Sequence, residues 1–230
     1  MENHLLAGLP PEVRERLFPH LEIVALPVGK VLYEAGAPLR HMYFPTDAVV
    51  SLIYLMDDGA SAEISVVGRE GLVGFPLVMG GDSTTSRAIV HSAGCAFRLP
   101  AQRLKDEFQR HSELLGLMLR YTQTLITQIA QTAVCNRHHS VDQQLCRWLL
   151  LSLDRLSGNT VTMTQELIAN LLGVRREGVT EAAGRLQKLR IIAYSRGRIR
   201  VLNRAQLEEL SCECYHVVKT ETNRLLLKPG

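Results

Sequence analysis

Aromatic residues are scarce, 5% of 230 positions, and there is a single tryptophan. No apolar run approaches the ~20 residues that a helix needs to cross a bilayer. The densest stretch, WLLLSL at Trp148 to Leu153, is far too short, so no membrane partner is expected. Met1 to Leu9 gives way at once to charged residues, and no secretory leader is expected. Cysteines are few, odd in number and scattered: Cys95, Cys135, Cys146, Cys212 and Cys214. Without a leader, they point to reduced thiols in a cytoplasm and not to a disulfide scaffold.

Catalytic signatures are missing as well. There is no Gly-rich phosphate loop, no nucleophile elbow and no metal-binding helix with paired histidines. His20, His41 and His91 stand apart without partner motifs, so an enzyme is not expected. Cys135, His138 and His139 invite a metal reading, because Cys and His are zinc ligands. Adjacent histidines in an extended chain point apart, however, and no fourth ligand with suitable spacing stands nearby. Cys212 and Cys214, one residue apart, match neither a zinc knuckle nor an iron–sulfur motif. These residues read as hinge and buried positions, and neither metal nor cofactor is expected.

What is present is enough for packed cores. Hydrophobic residues make up 46% of the chain and charged residues 21%, with a net charge of +3. That suits one large or two modest domains. The most informative stretch is TQELIANLLGVRREGVTEAAGRLQKLR, Thr164 to Arg190. Thr164 is a helix cap with Glu166 in the first turn. Leu167, Ile168, Leu171 and Leu172 form an apolar stripe. Gly173 falls where a sharp turn needs positive φ. A second helix buries Val179, Ala182, Ala183 and Leu186 and exposes Arg175, Arg176, Glu177, Thr180 and Glu181. A helix of this kind fits the DNA major groove, where Arg contacts guanine and Glu accepts from cytosine.

Two short strands follow, Ile191 to Tyr194 and Ile199 to Leu202, around a Gly-containing turn from Ser195 to Arg198. Arg196, Arg198 and Arg200 place cations on this wing, suited to phosphate contacts. From Thr164 to Arg204 the bases are Arg175, Arg176, Arg185, Lys188, Arg190, Arg196, Arg198, Arg200 and Arg204. The acids are only Glu166, Glu177 and Glu181. Such local excess charge is the footprint of nucleic-acid binding.

GVRREGVTEAAGRLQK with its basic wing resembles the winged helix-turn-helix of the Crp/Fnr family of bacterial transcription regulators. The family pattern is Gly, a variable residue, Ser, Arg, Glu, then Thr-Val. Here it reads Gly173, Val174, Arg175, Arg176, Glu177, Gly178, Val179. The resemblance places Arg176 and Glu177 on base-reading positions. Arg175 replaces the usual Ser, and Glu181 stands where Arg is often the third reader. The resemblance implies double-stranded DNA, RNA polymerase and a second copy of the chain as partners.

From His20 to Leu99 the texture is short Val/Ile/Leu/Tyr runs broken by Gly, Pro and Asp, as in an antiparallel sandwich or small barrel. Asp57-Asp58-Gly59 is a hairpin turn signal. This layout resembles the family's cyclic-nucleotide-binding β-roll. In members that bind cyclic AMP, a Gly-Glu pair holds the ribose and an Arg-Ser-Ala run holds the cyclic phosphate. In VGFPLVMGGDSTTSRAIV, Gly74 is kept, but Phe75 takes the Glu position and Thr85 the Arg position, with Ser86 after it. A buried phosphate needs a cation or N–H donors. Phe75 and Thr85 supply neither charge. Arg87 lies two residues on, on the same strand face as Thr85. Cyclic AMP is therefore not expected to bind in the usual way, and the small-molecule effector stays unknown. The family's iron–sulfur branch carries a cysteine cluster near the N-terminus, which is missing here.

Between the two domains, Glu113 to Asn136 reads as one helix on the order of 36 Å long. Leu114, Leu117, Met118, Tyr121, Leu125, Ile129 and Thr132 recur at alternating three and four spacing, which predicts a dimer seam. His111 and Ser112 mark the junction before it. CNRHHS, Cys135 to Ser140, is the hinge, and Ser140 with Gln143 forms a capping box. The tail from Ala205 to Leu227 reads as one amphipathic helix. The expected fold is α+β: an antiparallel β-roll sensor over 1–111, a dimerisation and coupling helix with hinge over 112–139, and a winged helix-turn-helix over 140–230. Rival readings are a β-roll signalling module acting through protein contacts, or a regulator that senses another ligand or redox state.

Overall fold

A computed structural model describes residues 2–110 and 113–226. The expected junction at His111 and Ser112 lies outside the described residues, as does Leu227. The order of elements is α1 (His4–Ala7), α2 (Pro11–Leu17), β1 (Glu22–Leu26), β2 (Val31–Tyr33), β3 (His41–Pro45), β4 (Val49–Leu55), β5 (Ser61–Val67), β6 (Arg87–Ser92) and β7 (Gly94–Pro100). Then come α3 (Ala101–Gln109), α4 (Glu113–His138), α5 (Val141–Leu153), β8 (Thr160–Thr162), α6 (Gln165–Leu172) and α7 (Arg176–Lys188). The chain ends on β9 (Ile192–Ser195), β10 (Arg198–Val201), α8 (Arg204–Leu210) and α9 (Glu213–Leu226).

The N-terminal half is an antiparallel β-roll of two sheets, ordered β1-β7-β3 and β2-β6-β4-β5. Asn3 pins the first helices to it. Its side-chain oxygen accepts from the N–H groups of Leu5 and Leu6, and its amide donates to the carbonyls of Pro45 and Gly71. β4 shows why a strand in an antiparallel sheet can be apolar almost throughout. Alternation sends Val50 and Leu52 into the roll and Val49 and Ile53 into a second core built around α5. Both faces are covered, so neither needs to be polar.

α4 has 26 residues, about 39 Å at 1.5 Å per residue. The expected dimer seam is corrected here. Leu114, Leu117, Met118, Tyr121 and Leu125 are buried in the protomer's own roll, and Ile129 packs against the same core. Tyr121 lies over Gly71, where an added Cβ would meet its ring at 2.5 Å, and its hydroxyl donates to the Leu72 carbonyl at 2.9 Å. Thr132 is buried too, accepting from Arg147 at 3.2 Å. A surface already buried within one chain is not available to a second. The reason for the misreading is physical: a three-four repeat marks an apolar face and says nothing of which chain covers it.

α5 starts at a capping box, with Ser140 and Gln143 bonding each other's backbone N–H. Trp148, Leu149, Leu150 and Leu153 make it the centre of the second core. β8, for which the sequence reading has no strand, pairs with β10 and completes a three-stranded wing sheet in the order β8-β10-β9. The tail, expected as one helix, breaks at Ser211 and Cys212 into α8 and α9. Cys212 lies beside Cys135 and Glu221 beside Gln123. α9 therefore runs back along α4 in the opposite direction.

The two halves pack on each other. Arg155, which follows α5, donates to Glu70 of the roll at 2.7 Å and sits against Gly68. Its guanidinium also reaches the side chain of Gln128 in α4 at 3.5 Å. Near the turn of the helix-turn-helix, the Ser61 hydroxyl donates to the Asn170 carbonyl at 3.4 Å.

Candidate nucleic-acid interface and sensor cup

The helix-turn-helix is built from local chemistry. The Thr164 hydroxyl accepts from the Leu167 N–H at 3.3 Å and caps α6. Gly173 ends α6 at φ 67 and ψ 34, the left-handed conformation that Gly adopts without a Cβ penalty. Arg175, extended at φ −72 and ψ 145, occupies the N-cap of α7 without a side-chain capping bond. The first turn of α7 thus begins without a capping side chain on its N–H groups, a favourable place for an anion. Val179, Ala182, Ala183 and Leu186 are buried as expected. Arg175, Arg176, Glu177, Thr180 and Glu181 are exposed.

Not every exposed base is free. Arg185 pairs with Asp142, with Nε 2.7 Å from Oδ2, and Arg204 pairs with Asp154 and Glu208. Among the described residues, Arg175, Arg176, Arg196, Arg198 and Arg200 face no acid at ion-pair distance. Thr180 has an internal partner: its hydroxyl lies 2.8 Å from Gln165 Oε1 and 3.0 Å from the Arg176 carbonyl.

In the wing, Arg198 and Arg200 are exposed while Ile199 and Val201, between and after them, are buried. Its turn holds Arg196 at φ 49 and Gly197 at φ 74, the pair of left-handed residues that defines a type I′ hairpin. A groove between the helices and the wing is lined by Thr164, Gln165, Arg176, Gln187, Tyr194 and Arg196. Gln165, Gln187 and Tyr194 were missed in the sequence. Gln187 had a signal: it stands eleven residues, three helical turns, after Arg176 on the same face.

The cup of the roll is differently equipped. Gly74 is at φ 109, where it opens a short 3-10 turn over Phe75–Leu77. Pro76 removes an N–H donor from that turn. Phe75 is partly buried and packs against the roll core. Thr85 is exposed and its hydroxyl lies 2.6 Å from that of Tyr54. Ser86 is buried, 3.2 Å from the hydroxyl of Thr84. Arg87 is paired within the chain, Nε to Glu34 Oε2 at 2.6 Å. Its charge is answered by a carboxylate and not left open to a ligand.

The structure also gathers residues that sequence reading kept apart. Cys135 and His139 meet Cys212 and Cys214 at the end of α4, while His138 stays exposed outside the group. The expectation that no further ligand stands near is thereby corrected.

A β-roll joined by a long helix to a winged helix-turn-helix with an open cationic face defines a two-domain, DNA-binding transcription regulator. Residues 23–111 match the cyclic nucleotide-binding domain, and residues 143–210 match the Crp-like helix-turn-helix domain. The chain belongs to the Crp/Fnr family. It is 21% identical to the global nitrogen regulator of Synechococcus elongatus, over 82% of this chain and 89% of that one. It is 25% identical to the fumarate and nitrate reduction regulatory protein of Vibrio cholerae, over 80% of this chain and 76% of that one. Among solved structures, FixK2 from Bradyrhizobium japonicum shares the fold with a TM-score of 0.72 at 16% identity, covering 84% of this chain and 98% of its own.

Proposed function

We propose that the protein is a homodimeric regulator that reads a palindromic DNA site and does not answer to cyclic AMP through the usual contacts. One observation carries the DNA reading: the uncapped start of α7 presents Arg175, Arg176 and Glu177 beside three wing arginines that meet no acid. In this reading Arg176 and Glu177 contact base edges, and Glu181 occupies the third reading position. Arg175, Thr164, Arg196, Arg198 and Arg200 hold phosphates. The protein acts without catalysis, in the compartment that holds the DNA, and RNA polymerase is the machinery it addresses. Among the described residues no helix is long and apolar enough to cross a membrane.

The partner-facing side of α4 is the stripe left open, Leu119, Ile126, Ala130 and Ala133, in which Leu119, Ile126 and Ala133 recur every seven residues. A two-fold pair places the two α7 helices in successive major grooves, about 34–36 Å apart. Selection of bound DNA from a random pool tests the reading, followed by titration at several salt concentrations. A two-fold symmetric consensus whose affinity falls steeply with salt is expected. Binding without selectivity at low salt would instead leave a signalling module that works through protein contacts.

A further inference from the structure

α4 ends where α9 begins, and four metal-ligating side chains meet there. Cys135 sits in the last turn of α4. His139 lies one turn on, its N–H still bonded to the Cys135 carbonyl at 3.0 Å, so the two side chains share a face. Cys212 and Cys214 arrive from the break between α8 and α9, 77 and 75 residues from Cys135 and His139. The Sγ atoms of Cys135 and Cys212 are 3.5 Å apart. Cys214 Sγ is 3.6 Å from His139 Nδ1. All four ligand atoms lie within 4.8 Å of one another, and the three cysteines are buried.

We propose that Cys135, His139, Cys212 and Cys214 form a closed Cys3His site for a thiolate-preferring tetrahedral metal ion, zinc first. The geometry is the first support. Zn–S bonds of ~2.3 Å in a tetrahedron put sulfurs about 3.8 Å apart and a sulfur about 3.5 Å from a ring nitrogen. The observed separations, 3.5 Å between two sulfurs, 3.6 Å from sulfur to ring nitrogen and none above 4.8 Å, lie close to these edges. A disulfide would need ~2.05 Å between two of the sulfurs and would leave the histidine and third thiol without a role.

The second support is the outer partner of the histidine. His139 turns Nδ1 toward the sulfurs, and its Nε2 lies 3.4 Å from Glu213 Oε2. Metal-bound histidines characteristically carry a carboxylate on the other ring nitrogen, which fixes the tautomer. Gln144 holds the same residue from behind by donating to its carbonyl at 2.9 Å.

The third support is charge. Three thiolates and a dication leave one negative charge, which a buried site must answer. Arg147 is 4% exposed and its Nε has no partner. Its guanidinium lies within electrostatic reach of Cys135 and Cys214. Metal loading displaces the thiol protons to solvent. The site would fasten the corner between α4 and α5, the hinge of the reader, to the tail helix.

The test uses the full chain, purified under reductant and without chelator. Elemental analysis is expected to find about one zinc per chain. After chelator stripping, Co2+ serves as the probe. Thiolate charge-transfer and tetrahedral ligand-field bands should rise with Co2+ and be displaced by zinc. Cys212→Ser and Cys214→Ser should abolish the bands or remove one thiolate's share of the charge transfer. Cys95→Ser and Cys146→Ser, outside the cluster, should leave them unchanged. Glu213→Gln should weaken zinc by about 10–100-fold with the cobalt spectrum preserved. If the ligand variants fail to fold, mercurial titration of the intact protein decides, with zinc released as its three cluster thiols react. Metal-free protein whose Co2+ titration stays without tetrahedral bands overturns the proposal, and so does a Cys135–Cys212 disulfide in protein that holds no zinc.

Discussion

The imidazole of His91 lies against the indole of Trp148, with ring centroids 5.7 Å apart and planes 29° from parallel. His91 belongs to β6 and Trp148 to α5, so this stack joins the sensor to the reader. Around it, Val49, Ile53, Val66 and Leu149 supply apolar contact. The same interface buries polar atoms with no partner: Glu63 Oε2, His91 Nε2 and Trp148 Nε1. Each such atom costs about 1–3 kcal/mol while it is kept from water. Separating the two halves returns these atoms to water, and is easier than the apolar area alone implies.

That interface should give stability a dependence on pH. Burial pushes the Glu63 carboxyl up to about 7, against the pull of Ser51, Arg147 and Arg155. Burial lowers His91 to about 4, with Arg155 adding to it. The raised carboxyl stabilises the fold as an acid below its unfolded value and loses that contribution as pH rises through 7. The lowered histidine stabilises as a neutral ring above 6.5 and loses that contribution as pH falls through 4. The two oppose each other between, so from pH 6.5 upward Glu63 acts alone. Glu63→Gln should therefore be more stable than the parent at pH 8, by up to roughly 3 kcal/mol, and little different at pH 4.5. Denaturant unfolding at both values checks this; an equal offset at both would assign the effect to packing.

Arg196 holds a left-handed backbone at φ 49, which costs an L-residue roughly 1–2 kcal/mol. Asn adopts this conformation more cheaply. Arg196→Asn should raise thermal stability by about 0.5–1 kcal/mol while weakening DNA binding and lowering the salt slope by about one. Gain of stability with full affinity would mean that the wing tip does not touch DNA.

How far this could be read from sequence depended on range. The turn at Gly173, the cap at Thr164 and the capping box at Ser140 are written within four residues, and the structure has each of them. β8 was missed because three residues, Thr160–Thr162, carry no period of their own and gain strand geometry only by pairing with β10. The cluster of Cys135, His139, Cys212 and Cys214 was invisible because its halves are joined by folding alone. Arg87 was visible as a cation, but its partner Glu34 comes from 53 residues earlier.

Arg176 is the first residue of α7, and it lines the groove with Gln187 and Tyr194. Arg176→Ala should cost about 1–3 kcal/mol of binding and relax preference at one base pair of each half-site. Arg185→Ala, whose guanidinium already faces Asp142, should change selectivity little. Competition binding with single-base variants of the selected site separates these outcomes; unaltered preference in the Arg176 variant removes it from the reading role.

The cup should be silent toward cyclic AMP. Phe75 offers a ribose no acceptor, Thr85 offers a phosphate no charge, and Glu34 already engages Arg87 at 2.6 Å. Calorimetry with the intact protein should show no binding heat. Saturable heat in the micromolar range would mean that Arg87 leaves Glu34 for the phosphate, and Arg87→Gln should then abolish it.

The two faces of α4 should respond differently to substitution. Leu125 is 2% exposed and Ile126, its neighbour, 57%. The first belongs to the roll core, and the second to the open stripe with Leu119. Leu125→Ala should lower unfolding stability by about 2–5 kcal/mol, as loss of a buried side chain does. Ile126→Glu leaves the chain's own core intact and should shift stability by no more than ~0.5 kcal/mol per protomer. In a paired helix, however, it sets two carboxylates facing each other across a seam with no water to separate them. Light scattering should therefore find the Ile126 variant as single chains and the Leu125 variant, where folded, still paired. DNA affinity should fall with the Ile126 change, because one chain then engages one half-site alone. An Ile126 variant that stays paired would move the dimer contact off this stripe.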